Sequence, residues 1–199
     1  MAADQPLHDE EYVLWQRFKS GDQEAFALLY EQYVGILYNY GYHITPHTAL
    51  VQDAIQDLFT DLWRTRQNLS DTTSVKYYLF RSLRRKIHRL SETYQTLQSI
   101  PESDNLPDIP HILSQEALRI EKDTQEELIR QLQQALTNLP ERQQEAIRLR
   151  FFDGFELREV ASIMQMNEQS VRNLIQRSIK KLRQAFELLP VLMFCHQFI

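Results

Sequence analysis

Residues 157–182 read LREVASIMQMNEQSVRNLIQRSIKKL, and their apolar spacing fits two short helices crossing at a tight turn. Val160, Ala161 and Met164 are placed on the inner face of the first helix, Met166 under the turn, and Val171, Leu174 and Ile175 on the seat of the second. Ala161 is small where the two axes approach. The second helix carries Arg172, Arg177, Lys180, Lys181 and Arg183, and Glu168 is the only acid between Met166 and Arg183. This is helix-turn-helix patterning, suited to a helix lying in a major groove with phosphates on its flanks. Asn167 is placed to cap that helix. Gln169, Arg172, Asn173 and Gln176 point away from the apolar seat and are side chains that pair with base edges; Ser170 lies beside them. Arg177, Lys180 and Lys181 are assigned to phosphates.

Working outward, Leu128, Ile129, Leu132, Ala135, Leu136 and Leu139 form a stripe that stops at Pro140, and Ala146, Ile147, Arg150 and Phe151 follow on a helix ending at Asp153 and Gly154. Upstream, Ser91–Glu127 changes character. Pro101, Pro107 and Pro110 break the first half, and nine acids face only Arg119 and Lys122, so the segment reads as an acidic linker that becomes helical after Ile112.

From Glu10 to Leu90 the pattern is again helical. Val13, Leu14 and Phe18 predict a short opening helix ending at Gly21, with Asp22 capping the next. Ala25, Phe26, Leu29, Tyr30, Tyr33, Ile36, Leu37 and Tyr40 recur at helical steps up to Gly41. Thr45 and Pro46 predict the cap and first turn of a third helix, with Leu50, Ala54, Ile55, Leu58, Leu62 and Trp63 inside. Ser74 is placed to cap a fourth helix, with Leu79, Ser82, Leu83, Ile87 and Leu90 inside. That helix bears Lys76, Arg81, Arg84, Arg85, Lys86 and Arg89 without an acid. Tyr77, Arg81, Arg84, Arg85 and His88 share one outer stripe, and a ring among guanidinium groups suits single-stranded nucleic acid.

The expected fold is all-α: two small helical domains joined by an acidic linker, the second a helix-turn-helix domain of the winged-helix-like DNA-binding kind. The boundaries are 10–90, 91–123, 124–187, and an apolar tail at 188–199. A 199-residue chain with 43% hydrophobic residues and four glycines is consistent with this. The net charge of −5 disfavours a nonspecific nucleic-acid coat, yet the charge is segregated along the chain. Cys195 is the only cysteine, so no intrachain disulfide forms, and the first residues lack a basic flank followed by an apolar run; a reducing, cytoplasmic setting is expected. The tail is too short to span a bilayer. The six histidines are scattered, without a ligand-spaced partner, phosphate loop or nucleophile elbow, so neither an active site nor a metal or cofactor site is expected.

From about Val13 to Leu182 the chain resembles a group IV (extracytoplasmic-function) sigma factor of the sigma-70 family. The resemblance is carried by Asp53-Ala-Ile-Gln-Asp57-Leu-Phe-Thr-Asp-Leu-Trp63, by Tyr77-Tyr-Leu-Phe-Arg-Ser-Leu-Arg-Arg85, and by Leu139-Pro-Glu-Arg-Gln-Gln-Glu-Ala146 with Phe152-Asp-Gly154 and Glu159-Val-Ala161. It implies that Asp53, Gln56, Asp57, Phe59 and Trp63 meet core RNA polymerase at the β′ clamp helices. It further implies that Tyr77, Arg81, Arg84, Arg85 and His88 hold the melted −10 strand, with a flipped base captured at the Asn68–Thr73 loop, and that the second domain reads the −35 duplex beside the β flap. Promoter DNA and an anti-sigma factor are the other implied partners; no small-molecule substrate and no membrane insertion are. The acidic linker would occupy a basic polymerase channel. Family members usually have Asn where Arg85 stands, Ser or Thr where Glu156 stands, and a turn glycine where Gln165 stands. A stand-alone dimeric helix-turn-helix regulator and a sigma-like protein-interaction adaptor are the alternative readings.

Overall fold

A computed structural model describes residues 5–70, 72, 74–97 and 132–185, and among them every regular element is helical. The first unit comprises α1 (Gln5–Lys19), α2 (Gln23–Ile44), α3 (Thr48–Thr65), a 3₁₀ turn (Arg66–Asn68) and α4 (Val75–Leu97). The second comprises α5 (132–137), α6 (Glu141–Ile147), a π-helical turn (Arg148–Phe152), α7 (Leu157–Met164) and α8 (Glu168–Ala185). The readings at Leu128, Ile129, Ile112 and the apolar tail lie outside the described residues.

In the first unit α2, α3 and α4 pack on one another and α1 lies across α2 and α4. Trp15, Phe18, Leu29, Leu37, Leu50, Leu79, Phe80, Leu83 and Ile87 are fully enclosed. Gly21, at φ 96, makes the turn between α1 and α2, and the Asp22 carboxylate accepts from the N–H groups of Glu24 (2.9 Å) and Ala25 (3.2 Å). Those two bonds satisfy donors that a helix start leaves without partners. At α4 the same work is done by Ser74, whose hydroxyl accepts from Tyr77 N–H at 3.1 Å.

Several elements depart from expectation. The opening helix turns Val13 outward (56% exposed) and buries Trp15. Tyr30 and Ile36 sit on the outer side of α2, and the helix runs past Gly41, which lies against Val51 and Ile87. Thr45 ends α2 rather than starting α3: its N–H donates to Gly41 O, and His47 holds the N-cap position of α3. α4 runs on to Leu97, beyond the predicted end of the first domain at Leu90. In the second unit Leu132 is exposed while Ala135 and Leu139 are buried. The helix after Pro140 widens into a π turn, with Asp153 N–H donating to Arg148 O at 2.9 Å. This wider path buries Leu149 and leaves Phe151 and Phe152 on the surface.

Candidate nucleic-acid interface

α7 and α8 form the helix-turn-helix. Val160, Ala161, Ile163, Met164, Val171 and Ile175 are buried between and beneath the two helices, with Met166 and Leu174 partly covered. The turn is made by Gln165 at φ 55 and ψ 45, a left-handed conformation in which Met166 N–H returns to Ala161 O at 2.8 Å. Glu156 takes the N-cap position of α7; its N–H donates to the Glu159 carboxylate at 2.8 Å, so a carboxylate three residues on satisfies the start of this helix. Asn167 caps α8 by accepting from Ser170 N–H at 2.7 Å.

The outward face of α8 presents Gln169, Asn173, Gln176, Arg177, Lys180 and Lys181 to solvent, with Ser170 and Arg172 half-buried along its edge. Gln169 Nε2 donates to Asn173 Oδ1 at 3.0 Å, which aligns two amides along one row. Amides in such a row offer a donor and an acceptor each to a base edge, and the cations beyond them supply phosphate contacts.

α4 is arranged differently from the predicted open stripe. Arg85 and His88 are exposed, and Tyr77 and Arg81 are half-buried, but Arg84 is only 6% exposed. The second unit covers it. Glu145 of α6 accepts from Arg84 Nε at 2.7 Å and Nη2 at 3.2 Å, and also from the Tyr40 hydroxyl at 3.0 Å. Burial lowers the affinity of the Arg84 guanidinium for its proton, while the Glu145 hydrogen bonds and charge outweigh this and hold it above its ordinary range. Burial, followed by the Glu145 charge, pushes the Tyr40 hydroxyl well up. Partial desolvation and the neighbouring Arg84 charge push His88 down although its ring reaches solvent.

Three further contacts extend this joint. Lys76 Nζ donates to Asp153 O at 2.7 Å, the Tyr77 hydroxyl pairs with Ser162 Oγ at 2.6 Å, and Phe80 meets the Phe155 ring edge-on at 5.0 Å between centroids. Arg148 Nη1 also lies 2.6 Å from His43 Nε2. Sequence reading did not anticipate Tyr40, Glu145, Asp153 or Ser162 as partners of α4, because local periodicity carries no signal for a contact between distant segments. Lys86, counted with the basic cluster, turns to α3 instead and pairs with Asp61 at 2.5 Å.

The outer face of α3 presents Asp53, Gln56 and Asp57. Trp63 is half-buried against Phe18 and Phe26, with the Arg66 guanidinium 4.3 Å above its ring. Phe59 departs from its expected outward role: it is 3% exposed, with Tyr30 edge-on at 4.8 Å, and so supports the face from below. Among the described residues no His, Cys, Asp or Glu group has metal-binding geometry, and no helix is long and apolar enough to cross a membrane.

Comparison with known proteins agrees with this geometry. Residues 29–94 match the family model for sigma-70 region 2 and residues 129–182 that for sigma-70 region 4. Among curated proteins, the ECF RNA polymerase sigma factor SigX of Bacillus subtilis (strain 168) is 25% identical over 167 residues, 84% of this chain and 86% of the relative. The RNA polymerase sigma factor SigZ of the same organism is 25% identical over 159 residues, 80% and 85% of the two chains. Of solved structures, CnrH in complex with the cytosolic domain of CnrY superposes with a TM-score of 0.57 at 21% identity, covering 89% of this chain and 97% of that one. The sigma factor RpoE in complex with the anti-sigma factor NepR from Bartonella quintana superposes at 0.54 and 19% identity, covering 82% and 98%. With region 2 and region 4 matched in order, on helices that place a helix-turn-helix after a basic α4, the chain belongs to the sigma-70 family of RNA polymerase sigma factors, in its extracytoplasmic-function group.

Proposed function

We propose that this chain is a dissociable initiation subunit that directs core RNA polymerase to a particular class of promoters. The outer face of α3, with Asp53, Gln56, Asp57 and the rim of Trp63, docks on the β′ clamp helices, and the second unit sits beside the β flap. α8 reads the −35 duplex with Gln169, Arg172, Asn173 and Gln176, while Ser170, Arg177, Lys180 and Lys181 hold its backbone. α4 takes the melted −10 strand on Tyr77, Arg81, Arg84, Arg85 and His88. Flipping a base out of the duplex costs a few kcal/mol, which contacts to the extruded strand offset. The enzyme chemistry belongs to the polymerase. An anti-sigma factor, of the kind NepR represents for its own sigma factor, is the regulator this reading expects, and the cytoplasm is its setting.

The observation that carries the proposal is the exposed amide row of α8, seated on α7 through a left-handed turn and flanked by cations. The test is run-off transcription with core polymerase on DNA upstream of the chain's own gene. The expected result is a discrete transcript that depends on the added protein. Replacing Arg172 and Gln176 together with Ala removes two base-reading groups at about 1–3 kcal/mol each and should lower that transcript by about 30-fold or more. Full activity of the double variant would assign the face another role.

A further inference from the structure

We infer, resting on the reading of α8 as the helix that enters the −35 duplex, that Glu168 is a specificity-determining residue. Its carboxylate accepts from the exocyclic amine of one cytosine in the major groove, while Arg158 of α7 leaves it for the adjoining phosphate.

Glu168 is out of keeping with the charge around it. It opens α8 and is the only acid between Met166 and Arg183, a span that also carries Arg172, Arg177, Lys180 and Lys181. A carboxylate carried into a groove walled by phosphates weakens binding to every duplex, so its place at the nose of such a helix calls for a compensating contact. Support of the helix start does not supply one. Asn167 already caps α8 by accepting from Ser170 N–H at 2.7 Å, and the Glu168 carboxylate accepts no hydrogen bond among the described residues. The gain from the helix dipole remains, but at an exposed site it is small and screened by salt.

The one charge Glu168 meets is Arg158, whose Nε lies 3.8 Å from Glu168 Oε1, with the arginine side chain 81% and the glutamate 48% exposed. That distance is too long for a hydrogen bond, and an exposed pair of this kind contributes little, so either group is released at small cost. In a helix-turn-helix the first residues of the second helix reach base edges and the first helix crosses the backbone. Glu168 therefore faces bases and Arg158 faces phosphates. Next along α8, Gln169 Nε2 donates to Asn173 Oδ1 at 3.0 Å, and this pair of neutral amides suits adenine. A carboxylate, by contrast, only accepts. It pairs with the N4 amine of cytosine, is repelled by O6 and N7 of guanine and by O4 of thymine, and meets adenine N6 only with N7 beside it. The two residues then do separate work: Arg158 adds affinity for any sequence, and Glu168 subtracts it except where a cytosine answers.

The test uses core polymerase with the full chain, on templates carrying the DNA upstream of the chain's own gene with each base pair of the upstream duplex element changed in turn. Run-off transcript is read from every template. The parent protein should prefer C·G over the other three pairs by about tenfold at one position. Glu168→Ala should flatten that position to within about twofold and leave the others unchanged. The same variant, without polymerase, should bind an unrelated fluorescein-labelled duplex more tightly than the parent in anisotropy titrations. Glu168→Gln puts an amide in place of the acceptor and should move the preference at that position to A·T, a switch that a loosened helix start could not produce. Arg158→Ala should weaken transcription from every template alike and lower the salt slope of unrelated-duplex binding by about one, with the base preferences intact. A Glu168→Ala profile that matches the parent's, or that falls equally at every position, overturns the inference and leaves the initiation reading standing. No transcript from the parent on any template refutes the initiation reading, and the cytosine contact with it.

Discussion

Gln165 holds the turn between α7 and α8 in a left-handed conformation that side chains with a Cβ adopt at a cost of roughly 1 kcal/mol. Gln165→Gly should relieve that cost and raise the melting temperature by about 2–4 °C, measured by circular dichroism. An unchanged or lowered melting point would mean that the added freedom of the unfolded chain outweighs the relief. Asp22 gives a pH-dependent counterpart. Its hydrogen bonds to the Ala25 and Glu24 N–H groups and to Arg17 hold its carboxyl below the usual value of 3.8. A carboxyl depressed in the folded state contributes stability that is present above its unfolded value and is lost as pH falls through the folded one. Asp22→Ala should therefore melt lower than the parent at neutral pH, and the gap should close as pH drops below about 3.8. Thermal melts across that range check it, with a pH-independent gap as the contrary result.

At the scale of elements, two glycines of α2 make opposite predictions. A Cβ on Gly41 would come within 2.7 Å of Val51 Cγ1 and 3.2 Å of Ile87 Cδ1, both buried, and the β-branched Val51 has little freedom to turn aside. Gly41→Ala should destabilise the first unit by about 1–3 kcal/mol in urea unfolding. Gly35 faces open space, so Gly35→Ala should gain up to about 1 kcal/mol from helix propensity alone. The same contrast explains what could be read beforehand. Gly41 looks like a helix end in sequence, and only the close approach of α3 and α4 reveals it as a spacer inside a longer helix. The turn at Gln165, the caps at Asp22, Ser74 and Asn167, and the burial of Val160, Ala161, Met164, Val171 and Ile175 were legible because each depends on residues within one or two turns, whereas the burial of Ile163 and Ser178 was not read. Val13, Phe59 and Arg84 were misplaced because their exposure is decided by which neighbouring helix arrives, which no local period encodes. On α8, Gln169, Asn173, Gln176, Arg177, Lys180 and Lys181 are exposed as the helical period predicts, whereas Ser170 and Arg172 at its edge are half-buried.

At the scale of the whole molecule the joint centred on Glu145 couples two units that the family models treat as separate regions. Removing one partner of a buried ion pair costs roughly 3–5 kcal/mol if the other stays buried, so a Glu145→Ala chain lowers its free energy by letting the units part. Scanning calorimetry should then resolve two transitions in the variant where the parent shows one; a single transition in both would mean that the apolar contact of Phe80 with Phe155 suffices to couple them. The π-helical turn Arg148–Phe152 gives this coupling a geometric sensitivity of its own. It accommodates a longer hydrogen-bonded loop than an α-helix, and Phe155 N–H closes back on Leu149 O just beyond it. Losing one codon there would reset the following backbone by about 100°, one residue's share of a helical turn, and would carry Phe155 and the α7–α8 pair away from α4 together. Insertions and deletions in this short span thus act as changes of gearing between α4 and the helix-turn-helix, whereas point changes alter only the strength of the coupling.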